Sequence, residues 1–321
     1  MLLGFDIGGT KCSVILGKKT GASGMGISVI DKEILATAQP AGELIGALFA
    51  AANRLMAKNG FLNADIEGIG ISCGGPLDSK RGMILSPPNL PGWDNIAIGD
   101  MVEDRFGRRP MLQNDANACA LAEWKYGAGV GYDNVIFLTF GTGMGAGLIL
   151  NGQLYSGKTD LAGEVGHMRI AETGPMGYGK AGSFEGYCSG GGIARLAMQK
   201  AAEQLRNGKQ VSFCASEDGL PLITAKIVAE AALAGDVLAK SIYATCGYYL
   251  GKGLAALIDI LNPEVIILGS IYAKAQQLTE AAMREVIEKE ALPGAYNACK
   301  IVPADLGDNI GDIAALAVAV G

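Results

Sequence analysis

The sequence predicts an α/β protein with two domains. Strand-like segments are followed by helical segments twice along the chain, which is typical of an α/β fold with two domains. A unit of strand, Gly-rich turn and strand occurs twice, at residues 2–16 and 134–150, which indicates a duplicated architecture. The length of 321 residues is compatible with one large or two ordinary domains.

The first half begins with the unit at residues 2–16. Its flanks are apolar and partly β-branched, and its turn is Asp-Ile-Gly-Gly-Thr. Residues 41–58 place apolar side chains at helical spacing, so a helix is predicted there. Further strands are predicted at 25–39, 66–73 and 110–113, and further helices at 98–107 and 114–127.

The second half opens by repeating the strand–turn–strand pattern and is mostly helical after that. The later elements predicted are helices at 190–207, 221–234, 236–261 and 274–290, a strand at 265–269, and a final helix after Gly311-Asp312.

The composition excludes several classes of function. There are 26 Lys and Arg against 32 Asp and Glu, and no long basic cluster, which counts against a nucleic-acid partner. No apolar run is long enough to span a membrane and no signal segment is recognised, so we expect a cytoplasmic protein. The seven Cys form no Cys-x-x-Cys pair, and His167 is the single histidine, which excludes chemistry that needs two.

Glycine makes up 48 residues and is concentrated in turns such as Asp6–Lys11. There, two glycines let the backbone approach an anion, Thr10 adds a hydroxyl, and Asp6 could hold a hydrated Mg²⁺. An ordinary tight hairpin is the alternative interpretation.

The turn Gly141–Gly145 contains a G-x-G-x-x-A string, but a dinucleotide site needs a helix next. Residues 147–150 are strand-like instead, and no Walker sequence occurs. Two such turns, one in each domain, could hold a nucleotide phosphate chain. We therefore expect Gly9 and Gly143 to serve ATP rather than sugar.

Polar residues follow several of these segments. Asp115, after the strand at 110–113, is either a helix cap or a general base toward a hydroxyl. Glu164 follows Gly163 and His167 follows Gly166, as in a binding loop, although a lone His is more often structural. Glu185 lies in a further Gly-rich loop and is otherwise a solvated charge.

Taken together, these segments resemble the ROK family (repressor, open reading frame, kinase) of the actin/hexokinase-like ATPase superfamily. The resemblance runs through nearly the whole chain in the family order. It rests on Asp6–Lys11, Gly74–Asp78, Asn89–Trp93, Asn114–Asn117, Gly141–Gly145, Glu164–His167, Glu185 with Ser189-Gly190, and Gly311–Ala314.

The resemblance implies two actin/ribonuclease-H-like α/β domains around a central cleft for ATP and a sugar. The domains would be residues 1–115, completed by a C-terminal helix at about 308–321, and residues 116–307. Asp115 would be the catalytic base, with Mg²⁺ and ATP as cofactors. Sugar contacts would come from Gly75, Asn89, Asn114, Asp115, Glu164, His167 and Glu185. Nucleotide contacts would come from Asp6, Gly8, Gly9, Thr10, Lys11, Gly141, Thr142, Gly143, Gly190, Gly191 and Gly269.

The chain departs from the family at its zinc loop, where members carry a His and then C-x-C-G-x-x-G-C-x-E. The three Cys positions are Met176, Tyr178 and Ser183 here, so no structural zinc is expected. Met176 and Tyr178 are expected to fill the volume that the metal would vacate. Ser270 replaces one glycine of the family's usual pair.

The resemblance implies an ATP-dependent kinase acting on a hexose or hexose derivative at its C6 hydroxyl. The alternatives are a sugar-sensing regulator, the family's other branch, and a non-catalytic sugar-binding protein. Regulators add an N-terminal helix-turn-helix domain, for which the phosphate turn at Asp6 leaves no room. Glucose, an N-acylhexosamine or another aldohexose would fit, and a homodimer is expected from the resemblance alone.

Overall fold

The computed structural model of the chain describes residues 1–21 and 26–321. Its strands are β1 Leu2–Ile7, β2 Lys11–Thr20, β3 Gly26–Ala36, β4 Gly68–Cys73, β5 Leu77–Asp78, β6 Met83–Ile84, β7 Met111–Asn114, β8 Val135–Phe140, β9 Met144–Leu150, β10 Gln153–Leu154, β11 Met176–Gly177, β12 Lys180–Ala181, β13 Val265–Leu268 and β14 Lys300–Pro303. Its α-helices are α1 Ala41–Lys58, α2 Ile98–Phe106, α3 Asp115–Tyr126, α4 Phe184–Tyr187, α5 Gly190–Arg206, α6 Ala225–Leu233, α7 Val237–Leu261, α8 Ile271–Glu290, α9 Pro293–Ala298 and α10 Ile310–Val320.

The first five-stranded sheet has the order β3-β2-β1-β4-β7. β1 pairs antiparallel with β2 and parallel with β4, and β4 pairs parallel with β7. The register sets Ile7 beside Cys73 and Cys73 beside Asn114, so these three strands end at one edge. In open α/β sheets, ligands bind at this carboxyl edge.

The second five-stranded sheet has the order β10-β9-β8-β13-β14. β13 pairs parallel with both β8 and β14, while β10 pairs antiparallel with β9. Each sheet therefore places three strands that are consecutive in the chain beside two further strands that are parallel to the first of them, and the duplicated architecture predicted from the two Gly turns is present.

The chain divides into two compact units. One contains residues Met1–Asp133, Gly147–Gly163 and Asp305–Gly321, and the other contains Asn134–Ala146 and Glu164–Ala304. The functional domain limits predicted above, 1–115 with 308–321 and 116–307, stay a prediction.

Within the first unit, α10 packs directly on the sheet. Its residues Ala315, Leu316 and Ala319 form a small core with Leu2 and Ile15. Glycines make the close approach possible. A Cβ on Gly70 or on Gly68 would overlap backbone atoms of α10.

The other face of this sheet carries the larger core of the unit. The apolar face of α1 covers it, with Leu44, Ile45, Leu48 and Leu55 buried. Phe5, Phe49 and Phe106 meet there, with ring centroids 5.5 to 6.2 Å apart. The helical spacing of the apolar residues in 41–58 predicted α1 with the limits that the structure shows.

Several elements differ from the prediction. The helix predicted at 221–234 begins at Ala225, because residues Glu217–Leu222 form a 3-10 turn that contains Pro221. The two-residue strands β5, β6, β10, β11 and β12 were not predicted, and neither were β14, α4 and α9. Residue 25 of the strand predicted at 25–39 lies outside the described residues. Within 1–21 and 26–321, every helix is too short or too polar to cross a membrane.

Candidate active site

Asn114 and Asp115 stand where β7 ends and α3 begins. The buried side chain of Asn114 caps the helix by accepting a 2.7 Å hydrogen bond from the amide of Asn117. Asp115 is therefore not the cap, and its side chain is exposed. The cap interpretation of Asp115 is wrong. The same bond uses one of the two lone pairs of the Asn114 side-chain oxygen.

Three carboxylates of the first unit approach one another at this edge. Burial, together with the negative charges of Asp115 and Asp312, raises the pKa of Asp6 from 3.8 to about 6. Surrounding protein also raises the pKa of Asp115, although water reaches its side chain. Asp312 lies in the first turn of α10 and is paired with Lys32, with Nζ and Oδ2 2.6 Å apart.

The turn after β1 brings Gly9 against Asn89. A Cβ on Gly9 would lie 2.6 Å from the Asn89 carbonyl oxygen, and one on Gly74 would lie 3.0 Å from the Asn89 side-chain amide. Asn89 is thus held between the first Gly turn and the segment that contains Gly75. Thr10 and Lys11 are exposed beside Gly9, and the amide of Gly8 donates back to the Lys11 carbonyl at 3.2 Å.

In the second unit, the turn Gly141–Gly143 receives the N-terminus of α5. The amide of Gly190 donates to the Gly141 carbonyl at 2.7 Å, and that of Gly191 to the Thr142 carbonyl at 3.4 Å. Ser189 caps the helix by accepting from the amide of Gly192. These amides are therefore already bonded, so Gly190 and Gly191 adjoin the turn without offering free N–H groups in this structure.

Gly269 lies at the end of β13, before α8. Its amide donates to the Leu138 carbonyl at 3.0 Å. The side chain of Ile271, two residues later, is 3.2 Å from the position of a Cβ on Gly190. The structure therefore brings Gly269 and Gly190 to the same side of the second Gly turn.

Glu185 contacts the same turn. Its Oε2 accepts a 3.1 Å hydrogen bond from the amide of Met144, and a Cβ on Gly143 would lie 2.8 Å from that oxygen. Gly166 packs against both Met144 and Glu185, because a Cβ there would overlap the Met144 carbonyl oxygen and lie 3.3 Å from the Cβ of Glu185. The interpretation of Glu185 as a solvated loop charge is wrong, since it is partly buried against the turn.

His167 ends a short 3-10 turn, Val165–His167, and Glu164 directly precedes this turn. Their side chains are 4.0 Å apart between Oε2 and Nε2. The backbone amide of His167 donates to the Glu164 carbonyl at 3.1 Å. Through Gly166 this turn adjoins Glu185, so three predicted sugar contacts of the second unit are neighbours.

The segment that departs from the family pattern folds as a hairpin, β11–β12. Met176 is 48% and Tyr178 63% exposed, so neither fills an internal volume, and that expectation is wrong. Ser183 is buried and caps α4 by accepting from the amide of Gly186. In the part of the chain that the structure describes, no group of three or more His, Cys, Asp or Glu could hold a metal ion.

Sequence reasoning missed three groups. The Met144 amide carries no side-chain signal, and Asp312 was noted only as part of a motif. Glu123 lay inside a predicted helix, where nothing distinguished it from a surface charge. It is fully buried and accepts hydrogen bonds from the amides of Ala128, Asp305 and Leu306.

Known proteins are similar to this chain in both sequence and fold. The glucokinase of Halalkalibacterium halodurans is 32% identical over 315 residues, which are 97% of this chain and 92% of that protein. The xylose repressor of Caldicellulosiruptor bescii is 27% identical over 96% of this chain and 75% of that protein.

A crystal structure of a ROK family glucokinase from Streptomyces griseus, in complex with glucose and AMPPNP, superposes with a TM-score of 0.76. It is 31% identical, and the match covers 99% of each chain. The similarity confirms the predicted α/β fold class. The ROK family description matches residues 2–321. The chain belongs to the ROK family.

Proposed function

We propose that this protein transfers the γ-phosphate of ATP to the C6 hydroxyl of a hexose or hexose derivative, with Asp115 as the general base. The observation that carries the proposal is the arrangement of two neighbouring residues at the end of β7. Asn114 caps α3, while the carboxylate of Asp115 is exposed and does not cap the helix. Relatives named glucokinase, similar over nearly the whole chain, support the same reaction class.

In this reaction the sugar hydroxyl gives its proton to a carboxylate oxygen of Asp115, while the hydroxyl oxygen of the sugar attacks the γ-phosphorus in line. The bond from the γ-phosphorus to the bridging oxygen breaks, and ADP leaves. Asp115 must be ionised to accept the proton. Its raised pKa brings its basicity closer to the working pH, which favours proton transfer.

The backbone of the two Gly turns is proposed to hold the phosphates. Gly8, Gly9, Thr10 and Lys11 would supply the first turn, and Gly141, Thr142 and Gly143 the second. Gly190, Gly191 and Gly269 would adjoin the nucleotide through their lack of a side chain rather than through free amides.

The acidic edge of the first unit suits Mg²⁺, which prefers oxygen ligands and keeps several waters. Asp6 would hold the ion through water, and the repulsion that raises the pKa of Asp6 would be relieved by a cation. Bound Mg²⁺ would neutralise charge on the phosphates. No further protein ligand is needed, since Mg²⁺ sites are usually completed by phosphates.

The sugar contacts proposed are Gly75, Asn89, Asn114, Glu164, His167 and Glu185. Glucose and an N-acylhexosamine are both compatible with this set. The cytoplasmic location and the homodimer stay predictions.

The experiment that tests the proposal is Asp115→Asn, assayed by coupled ADP release over a panel of hexoses. The amide keeps the shape of the side chain but cannot take a proton. We expect kcat to fall by about 10²–10⁴-fold, with the KM of the sugar little changed. The matched control is Asp218→Asn, an exposed carboxylate in the 3-10 turn of the second unit. Near-normal turnover of the Asp115 variant would refute the base assignment.

A sugar-sensing regulator is the second candidate, because a xylose repressor is similar over 96% of this chain. In that case the wild-type protein would bind a sugar in calorimetry yet release no ADP with any hexose. The two functions are therefore separated by one assay on the unmodified protein.

A further inference from the structure

The turn of the β11–β12 hairpin carries an aromatic residue in an unfavourable backbone conformation. The two central residues, Tyr178 and Gly179, have φ values of +46° and +74°, as a type I′ turn requires. Glycine and asparagine accept such values readily, whereas a bulky residue there is rare. Strain of this kind persists where another contact compensates for it.

That compensating contact is with the single histidine of the chain. The Tyr178 and His167 rings lie edge to face, with centroids 4.6 Å apart and planes at 70°. The phenol ring is otherwise open to solvent, since the residue is 63% exposed. Its position on the hairpin is therefore explained by the ring contact and not by burial in a core.

The same hairpin also fixes the backbone of His167. Lys180, which follows the turn, donates from Nζ to the His167 carbonyl at 2.7 Å. The next backbone group, the Met168 carbonyl, accepts from the amide of Phe184 at 2.8 Å. The buried Phe184 ring packs against Gly253 of α7. The hairpin is thus anchored on one side and contacts His167 through two of its residues.

We propose that Tyr178 is a positioning residue that fixes the orientation of the His167 imidazole, through the edge-to-face contact of the two rings. The imidazole is half exposed, and its Nε2 lies 4.0 Å from Glu164 Oε2, so the Tyr178 ring is a contact that can limit its rotation about the side-chain bonds. A ring held in one orientation loses less entropy when it bonds a ligand. The consequence for sugar affinity rests on the proposed function, while the orientation of the ring does not.

The test compares Tyr178→Asn with Tyr178→Phe. Asparagine suits the turn better than tyrosine, so a purely structural role predicts a hairpin at least as stable as in the wild type. Phenylalanine keeps the ring but not the hydroxyl. Tyr178→Gly serves as a second ring-free variant that also suits the turn.

Two readouts are measured. The first is the set of NOEs, measured by NMR, from the imidazole Hε1 of the single His to protons outside residue 178, which needs no activity and no assignment among several histidines. We expect these NOEs to weaken or change in Tyr178→Asn and Tyr178→Gly, because the imidazole then samples several orientations, and to keep their wild-type pattern in Tyr178→Phe.

The second readout is steady-state ADP release with D-glucose, or with the best hexose of the panel. A contact of this type is worth a change of roughly 2- to 10-fold in an equilibrium. We expect the sugar KM to rise by about that factor in the ring-free variants, with kcat and the melting temperature little changed, and Tyr178→Phe to match the wild type.

The outcomes separate the inference from the proposed function. Unchanged Hε1 NOEs in both ring-free variants, or an unchanged sugar KM in an active enzyme, would overturn the inference. Changed NOEs in a protein that phosphorylates no hexose would support the positioning of His167 and refute the kinase.

Discussion

Asp6 is the residue where function and stability oppose each other. Its pKa is raised to about 6 by burial and by Asp115 and Asp312, so its ionisation destabilises the folded protein. This cost is absent below about pH 4, grows as the pH rises toward 6, and is constant above. We predict that Asp6→Asn raises the free energy of unfolding by about 1–3 kcal/mol near pH 7.5 and has little effect near pH 4.

Denaturant melts at the two pH values measure this effect. Asp218→Asn is the control, because that carboxylate is exposed and should change little at either pH. ADP release should fall in the Asp6 variant although the protein is more stable. An equal stability change at both pH values would contradict the argument, since it would point to packing rather than ionisation.

Gly9 and Gly143 each lie against a proposed sugar contact. The sequence suggests that they serve ATP alone, but a Cβ on Gly9 meets Asn89, and one on Gly143 meets Glu185. We therefore predict that Gly9→Ala raises the KM of ATP and of the sugar together, each by about 10-fold or more, because Asn89 must move.

The control for Gly9→Ala is Gly46→Ala on α1, where the added Cβ meets no atom. It should leave both KM values unchanged and stabilise the helix by roughly 0.5–1 kcal/mol. A rise in the KM of ATP alone would restore the simpler assignment.

At the scale of elements, Glu123 joins α3 to the segment that leads into α10. Its two oxygens accept from the amides of Ala128, Asp305 and Leu306, at 2.9, 3.3 and 2.9 Å. Asp115 and Asp312 stand on the two helices that this carboxylate connects. Glu123 therefore helps to keep the acidic groups of the first unit in register.

We predict that Glu123→Gln destabilises the protein by about 2–4 kcal/mol, because an amide nitrogen would face a backbone N–H inside the protein. Guanidinium melts measure the loss. Glu172→Gln, at an exposed position, is the control and should be nearly neutral. A loss below about 0.5 kcal/mol would mean that water replaces the carboxylate without cost.

Elements with a clear period could be predicted from the sequence, and irregular ones could not. The apolar spacing of 41–58 gave α1, and the Gly turns between apolar runs gave both hairpins. In contrast, residues 221–224 were predicted as the start of a helix, while Pro221 belongs to the tighter 3-10 turn Glu217–Leu222 that forms before α6. Two-residue strands such as β11 carry no period at all.

At the scale of the whole molecule, metal content tests the departure from the family pattern. We predict well under one zinc per chain in protein purified without chelator, and a melting temperature unchanged by EDTA. The physical reason is that Met176, Tyr178 and Ser183 replace thiolates, the ligands that close such sites. Elemental analysis measures it, and stoichiometric zinc with a lower melting temperature on chelation would contradict it.

The sequence proposes the candidate site as a set of residues, and the structure adds the contacts among them. Motif order along the chain selected Asp115, Glu185 and the Gly turns. It could not reveal that Asn114 takes the cap, that Glu185 bonds the Met144 amide, or that the α5 amides are occupied. These depend on which backbone groups a fold leaves unpaired, and that is set by distant segments.

The order in which the chain is made gives the packing of α10 a further consequence. The strands β1, β2 and β4 are synthesised early, whereas α10, which covers the glycine-lined face of their sheet, is synthesised only after Asp305. During most of synthesis this face, with Leu2 and Ile15, has no helix to cover it. Domains generally fold as units as they emerge, so here the part translated first is completed last. A nascent chain stalled before α10 would therefore leave this apolar sheet face exposed, and synthesis of α10 would end that exposure.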